Sequence, residues 1–206
     1  MKEMERRPIA ARSTGWARWL ASRLAASSIT PNQISGLSVV WAAIGGLVMV
    51  RGHGWIPWLV AALCVQLRLV CNLLDGMVAI EGGKSSAVGA LYNEFPDRVA
   101  DTILLTAAGY AAGMPSLGWA ASLFAALTAY VRVFGGALGL PQDFSGIMAK
   151  QRRMAALTGG LVAQSLESAI SGTRYCLVIT LAIIALGSLA TCWTRTATIG
   201  KGLRAR

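Results

Sequence analysis

Between Cys71 and Asp101 the chain reads CNLLDGMVAIEGGKSSAVGALYNEFPDRVAD, which gathers Asp75, Glu81, Glu94, Asp97 and Asp101 beside long apolar runs. Asn72 and Asp75 stand three apart and share one helix face; Asn93, Asp97 and Asp101 are spaced by four, with Glu94 one position along. Carboxylates four apart on a helix repel unless a cation lies near. Arg98 can pair with Glu94 or Asp101, but one arginine does not neutralise three acids. Oxygen-only donors on two facing helices suit a hard cation such as Mg2+ or Mn2+. Interhelical salt bridges at a helix end are the plainer reading of the same spacing. A cation-transport path is a third reading. It requires acids deep along several apolar runs, and only Glu167 comes close, near enough in sequence to pair with Arg174.

Those acids need elements to hold them, and the composition says which. Of the 206 residues, 55% are hydrophobic and 14% charged, against about 25% charged in a soluble domain; mean hydropathy is +0.56. Six apolar runs, 34–50, 55–75, 88–112, 117–139, 154–171 and 175–193, approach the ~20 residues that cross a ~30 Å hydrocarbon core. The expected fold is therefore an all-α integral membrane protein with six transmembrane helices. Asp75 then lies near the end of the second span, Asp97 and Asp101 at the start of the third, and Pro96 marks a first turn or a kink.

Residues 13–27, STGWARWLASRLAAS, place Trp16, Trp19, Leu20 and Leu24 at helical spacing with Arg18 and Arg23 off that stripe. The pattern predicts an N-terminal amphipathic helix lying on the cytoplasmic leaflet, with a helix packed on the bundle as the alternative. Ser13 or Thr14 can cap it, and Ser28, Thr30 or Asn32 can cap the first span after it. Residues 1–33 thus form an entry segment, 34–193 the membrane domain and 194–206 a basic tail.

Basic residues collect before the first span, at Lys84, at Lys150, Arg152 and Arg153, and in the tail, while the opposite connections hold only Arg51 and Arg174. This asymmetry puts both termini in the cytoplasm, and the net charge of +10 suits an anionic inner leaflet. No aromatic-basic groove points to nucleic acid. The first 33 residues lack the apolar stretch of a signal peptide. Cys64, Cys71, Cys176 and Cys192 form no CxxC pair and read as buried thiols, and the lone His53 reads as a loop residue.

The stretch resembles the signature of the CDP-alcohol phosphatidyltransferases, D-x2-D-G-x2-A-R-x8-G-x3-D-x3-D. Asp75, Gly76, Ala79, Gly89 and Asp97 fall on signature positions without a gap; Asn72 and Asn93 stand for aspartates and Ile80 for arginine. The resemblance implies a membrane transferase that binds a CDP-linked lipid, with CDP-diacylglycerol the favoured donor. An acceptor alcohol's hydroxyl attacks the phosphorus next to the lipid and CMP leaves, with two Mg2+ or Mn2+ ions as cofactors. It implies Asp75, Asp97, Asn72 and Asn93 as the metal positions, with Asp97 also the candidate base. Gly76, Ala79 and Gly89 make room for the nucleotide, and the same likeness implies a homodimer with its active site on the cytoplasmic side of the inner membrane.

Aspartate to asparagine keeps a carbonyl oxygen and removes a charge. Glu94 and Asp101, or Glu81 from the loop, are possible compensating acids, and Lys84 can replace the missing arginine as a phosphate clamp. Arg132 inside the fourth span and Lys150 before the fifth are candidate substrate contacts, with pairing to the acids as the alternative for Arg132 and membrane anchoring for Lys150; Arg68, four residues before Asn72, invites either reading. The competing view of the whole is a catalytically silent member that binds CDP-lipid or a protein partner.

Overall fold

The structure, a computed structural model, describes residues 13–84 and 86–206. Among them lie seven helices and no strand: α1 (Gly15–Ala25), α2 (Pro31–Arg51), α3 (Ile56–Glu81), α4 (Gly89–Ala111), α5 (Pro115–Ala137), α6 (Lys150–Ile170) and α7 (Tyr175–Arg204). The basic residues Lys2, Arg6, Arg7 and Arg12 fall outside the described residues.

Local signals start and stop these helices. Of the candidate caps for α2, Thr30 is the one used. Its Oγ1 accepts from Gln33 N at 3.3 Å while Gln33 Oε1 accepts from Thr30 N at 2.9 Å, and Pro31 occupies the first turn. Thr14 precedes α1 but makes no side-chain cap bond. Helix α3 runs to Glu81, six residues past the expected limit, so Asp75 and Gly76 lie well inside a helix. Pro96 also lies inside α4, where its missing N–H leaves the preceding turn one bond short. Helix α7 continues through Arg204, and Arg195, expected in a tail, is buried.

Helix α2 packs on α3 and α4, α5 on α4 and α7, and α6 on α3 and α7. Close approach depends on small residues, as in membrane bundles generally. A Cβ at Gly109 would come within 2.6 Å of the Gly118 Cα, so α4 and α5 touch backbone to backbone. Helix α1 lies on α3 through Ala17 and Ala21, beside Leu74, Met77 and Val78. Trp16 and Trp19, on its apolar stripe, are exposed, and Arg23 stacks 5.5 Å from the Trp19 ring. Small alanines allow the two helices to meet closely, whereas bulky indoles would hold them apart.

Among the described residues four helices, α2, α3, α5 and α7, are long and apolar enough to cross a membrane. Helices α4 and α6, of 23 and 21 residues, match them in length and carry the buried charges Asp97, Asp101 and Arg153. Those charges turn into the bundle, where they meet one another.

Candidate active site

Three helices converge on the acidic constellation. Helix α3 contributes Arg68, Asn72 and Asp75, α4 contributes Asp97 and Asp101, and the first turn of α6 contributes Lys150 and Arg153. Arg68 precedes Asn72 by four residues and Asn72 precedes Asp75 by three, so one face of α3 presents all three side chains. The same rule with spacing four aligns Asp97 with Asp101 on α4.

Asp101 is the most enclosed acid. Its carboxylate sits between Arg68 at 2.6 Å and Arg153 at 2.5 Å, and both arginines are fully buried. Arg68 also reaches Asp97 Oδ1 at 3.4 Å and the Asp97 carbonyl at 3.3 Å. Asp97 Oδ1 accepts from Asn72 Nδ2 at 2.7 Å, while Oδ2 pairs with Lys150 Nζ and lies 3.7 Å from Arg98. A buried ion pair recovers its desolvation cost only when such further bonds satisfy both partners.

Asp75 is held differently. Its Oδ2 accepts from Ser35 Oγ on α2 at 2.6 Å, and its Oδ1 is buried with no hydrogen-bond partner. A buried, ionisable acceptor without a protein donor is suited to coordinate a cation or to carry a proton.

A cleft beside the acids is lined by Arg98, Thr128, Ala129, Arg132, Lys150, Arg153 and Arg195. Arg132 pairs with Glu94 at 2.6 Å, also donates to Gln142, and stacks 5.0 Å from the Phe144 ring. Arg195 donates to Thr128 O at 2.6 Å and to Ser145 O at 2.6 and 2.9 Å. The cations around the cluster thus outnumber its acids, and the surplus faces the cleft.

The sequence-derived candidates separate into two groups. Asn72, Asp75, Asp97, Asp101 and Lys150 come together. Glu94 lies at the rim with Arg132, Asn93 and Ile80 are exposed, Gly76 and Ala79 are half-buried, and Gly89 opens α4. Lys84 turns to the α1–α2 connection, where its Nζ donates to Ser27 O at 2.5 Å and Ile29 O at 3.2 Å. Glu167 does not pair with Arg174. It accepts from Tyr175 N and Cys176 N at 2.8 and 2.7 Å, while Arg174 donates to Ala111 O. Ser35 was not foreseen, although a serine within an apolar run was its signal. Arg195 was missed because it looked like a tail anchor.

Among the described residues no group of three or more His, Cys, Asp or Glu side chains could by itself hold a metal. The donors that fit one are the free Asp75 Oδ1 and the side-chain carbonyl left to Asn72 once its N–H is given to Asp97. That set fits one hard cation whose remaining ligands are phosphate oxygens and water.

No family model matches the chain. It is 27% identical over 187 residues to the phosphatidylinositol phosphate synthase of Streptomyces avermitilis, covering 87% of this chain and 75% of that protein. It is 31% identical over 141 residues to the bifunctional IPC transferase and DIPP synthase of Rubrobacter xylanophilus, covering 65% of this chain and 31% of that longer protein. Its fold matches that of Mycobacterium tuberculosis phosphatidylinositol phosphate synthase (PgsA1) with CDP-DAG bound, at TM-score 0.75 and 19% identity over 89% of this chain and 92% of that one. The same protein in complex with manganese and citrate also matches at TM-score 0.75 and 19% identity, over 89% and 88% of the two chains. The structural likeness establishes the fold. With four helices long and apolar enough to span a bilayer, the chain is an integral membrane protein.

Proposed function

We propose that this chain is a membrane phosphatidyltransferase of phospholipid biosynthesis, moving the phosphatidyl group of CDP-diacylglycerol to the hydroxyl of a small phosphorylated alcohol and releasing CMP. The observation that carries this reading is the junction of Asn72, Asp75 and Asp97 with a cleft lined by Arg98, Arg132, Lys150, Arg153 and Arg195. A relative named for phosphatidylinositol phosphate synthesis and a shared fold solved with CDP-DAG bound support it.

The acceptor's phosphate belongs in the basic cleft. Lys150, Arg152 and Arg153 occupy the first turn of α6, where the helix dipole already favours an anion. The acceptor oxygen attacks the phosphorus that carries the diacylglycerol, the bond from that phosphorus to the CMP oxygen breaks, and the hydroxyl proton passes to Asp97. Lys150 and Arg68 hold the Asp97 carboxylate in place for that role. Asp75, with the side-chain carbonyl of Asn72, would hold a divalent ion, Mg2+ or Mn2+, which would supply charge neutralisation at the pyrophosphate and on departing CMP; a fold relative solved with manganese supports a divalent metal.

In this reading α4 and α6 complete six spans, α1 lies at the interface with Trp16 and Trp19 toward lipid, and both termini and the site face the cytoplasm. Two copies assemble as a homodimer in the inner membrane. Apolar residues exposed around the bundle, such as Leu47, Leu63, Leu123 and Leu186, suit lipid or a second copy.

Radiolabelled CDP-diacylglycerol, Mn2+ or Mg2+ and a panel of alcohols with and without phosphate test the reading through CMP release. Release that requires metal, depends on a phosphorylated acceptor and disappears in Asp75→Asn and Asp97→Asn is the expected result. A second reading, a silent CDP-lipid-binding protein, is favoured by one observation: both Asp97 oxygens already take donors, from Asn72 and Lys150. Binding of CDP-diacylglycerol without CMP release from any acceptor selects it.

A further inference from the structure

The site's carboxylate oxygens divide unevenly. Both Asp101 oxygens face guanidinium groups, at 2.6 and 2.5 Å. Asp97 Oδ1 takes the Asn72 amide and Oδ2 takes the Lys150 ammonium. Of these three acids, only Asp75, itself 5% exposed, keeps a buried oxygen with neither a hydrogen-bond nor an ion-pair partner; Asp101 Oδ1 lacks a hydrogen bond but is ion-paired to Arg68. Asn93, which the signature resemblance makes a fourth acid position, is exposed.

We propose that this chain binds a single divalent cation on Asp75, and that the Lys150 ammonium on Asp97 provides the positive charge that a second ion would otherwise bring. The proposal rests on the phosphatidyltransferase reading for the phosphate oxygens that complete the coordination.

Asn72 carries the argument. Its Nδ2 is a donor, and an ionised aspartate there would set one acceptor against another at 2.7 Å from Asp97 Oδ1. The asparagine therefore does more than delete a ligand: it converts a position that would demand a cation into one that satisfies Asp97 directly. Lys150 does the same from the other side. Its side chain is 9% exposed, and it starts α6, so its stem leads from a fixed helix end to Asp97. A cation tethered in this way neither dissociates nor exchanges with the medium. What remains for a free ion is one carboxylate oxygen and an amide carbonyl, a donor set that Mg2+ or Mn2+ completes with nucleotide phosphates and water.

Electron paramagnetic resonance of Mn2+ added to the purified protein in detergent, alone and with CMP, tests the proposal without turnover. One Mn2+ per chain with an uncoupled hyperfine spectrum, strengthened by CMP and lost in Asp75→Asn, is expected. In Asn72→Asp with Lys150→Met, a second Mn2+ and an exchange-coupled spectrum are expected. Two ions in the unmodified chain, none even with CMP, or one retained in a well-folded Asp75→Asn would each overturn the proposal. The stoichiometry of the unmodified chain decides even where a variant misfolds, since it requires none. CMP release measured on the same sample separates the two readings. One ion without turnover removes the transferase reading and leaves the site's composition standing, whereas turnover with two coupled ions does the reverse.

Discussion

The side-chain amide of Asn72 donates to Asp97 Oδ1 across 2.7 Å, joining α3 to α4 at the centre of the polar cluster. Lys150 and Arg68 approach the same carboxylate from α6 and α3. The asparagine and the two cations thus act together, and changing one member alters what the others must satisfy.

Asn72→Asp replaces that donor with a like charge. Losing a hydrogen bond to a charged group costs about 2 kcal/mol, or roughly 4–8 °C of melting temperature for a chain of this size. Melting in detergent is expected to fall by that amount without divalent ions and to recover substantially with Mn2+. Equal losses with and without the metal would show that position 72 does not face a cation.

Asp101→Asn leaves Arg68 and Arg153 fully buried and short of their shared counter-charge. Removing one partner from such a cluster costs about 3–5 kcal/mol. The variant is expected to lose its cooperative melting transition or aggregate on size exclusion. Asp101→Leu combined with Arg153→Met is expected to be less damaging, because it removes charge from both sides.

Arg98 lines the basic cleft, and its ion pair with Asp97 is long, at 3.7 Å. Arg98→Gln is expected to raise KM for a phosphorylated acceptor by roughly 10-fold or more, as the loss of a charge-assisted hydrogen bond dictates. KM for CDP-diacylglycerol should stay within about twofold, since the change removes acceptor binding alone. A parallel rise in both would place Arg98 on the donor.

Gly118→Ala drives a Cβ to 2.8 Å from the Gly109 Cα and the Leu105 carbonyl. Overpacking of this kind costs about 1–3 kcal/mol, read as a lower melting temperature. Gly159→Ala on α6 is the matched control: nothing lies within 4 Å of its Cβ. It is expected to be neutral or to stabilise by up to about 1 kcal/mol through helix propensity.

Helical spacing made the pairing of Asn72 with Asp75 and of Asp97 with Asp101 legible before any fold was known, because residues three or four apart on a helix must share a face. The Thr30 cap was legible for a similar local reason, although Ser28 and Asn32 looked equally able. Other features depended on distant neighbours. Nothing local to Lys84 says that it will close on the carbonyls of Ser27 and Ile29 rather than on a phosphate. Nothing in LESAISGTRY says that Glu167 will cap the start of α7 and leave Arg174 to Ala111.

The sequence by itself determined that the chain is helical and built for a bilayer, because apolar run length and hydropathy are properties of the chain alone. It also determined which acids share a helix face, because the period of the α-helix is set by the backbone. Only the tertiary structure decided which acids remain available. Asp75 and Asp97 look equivalent along the chain, yet Ser35 leaves one Asp75 oxygen free while Asn72 and Lys150 take both oxygens of Asp97. Partners 25, 40 and 53 residues away make that difference, and a buried charge is set by whatever packing brings against it rather than by its neighbours in sequence.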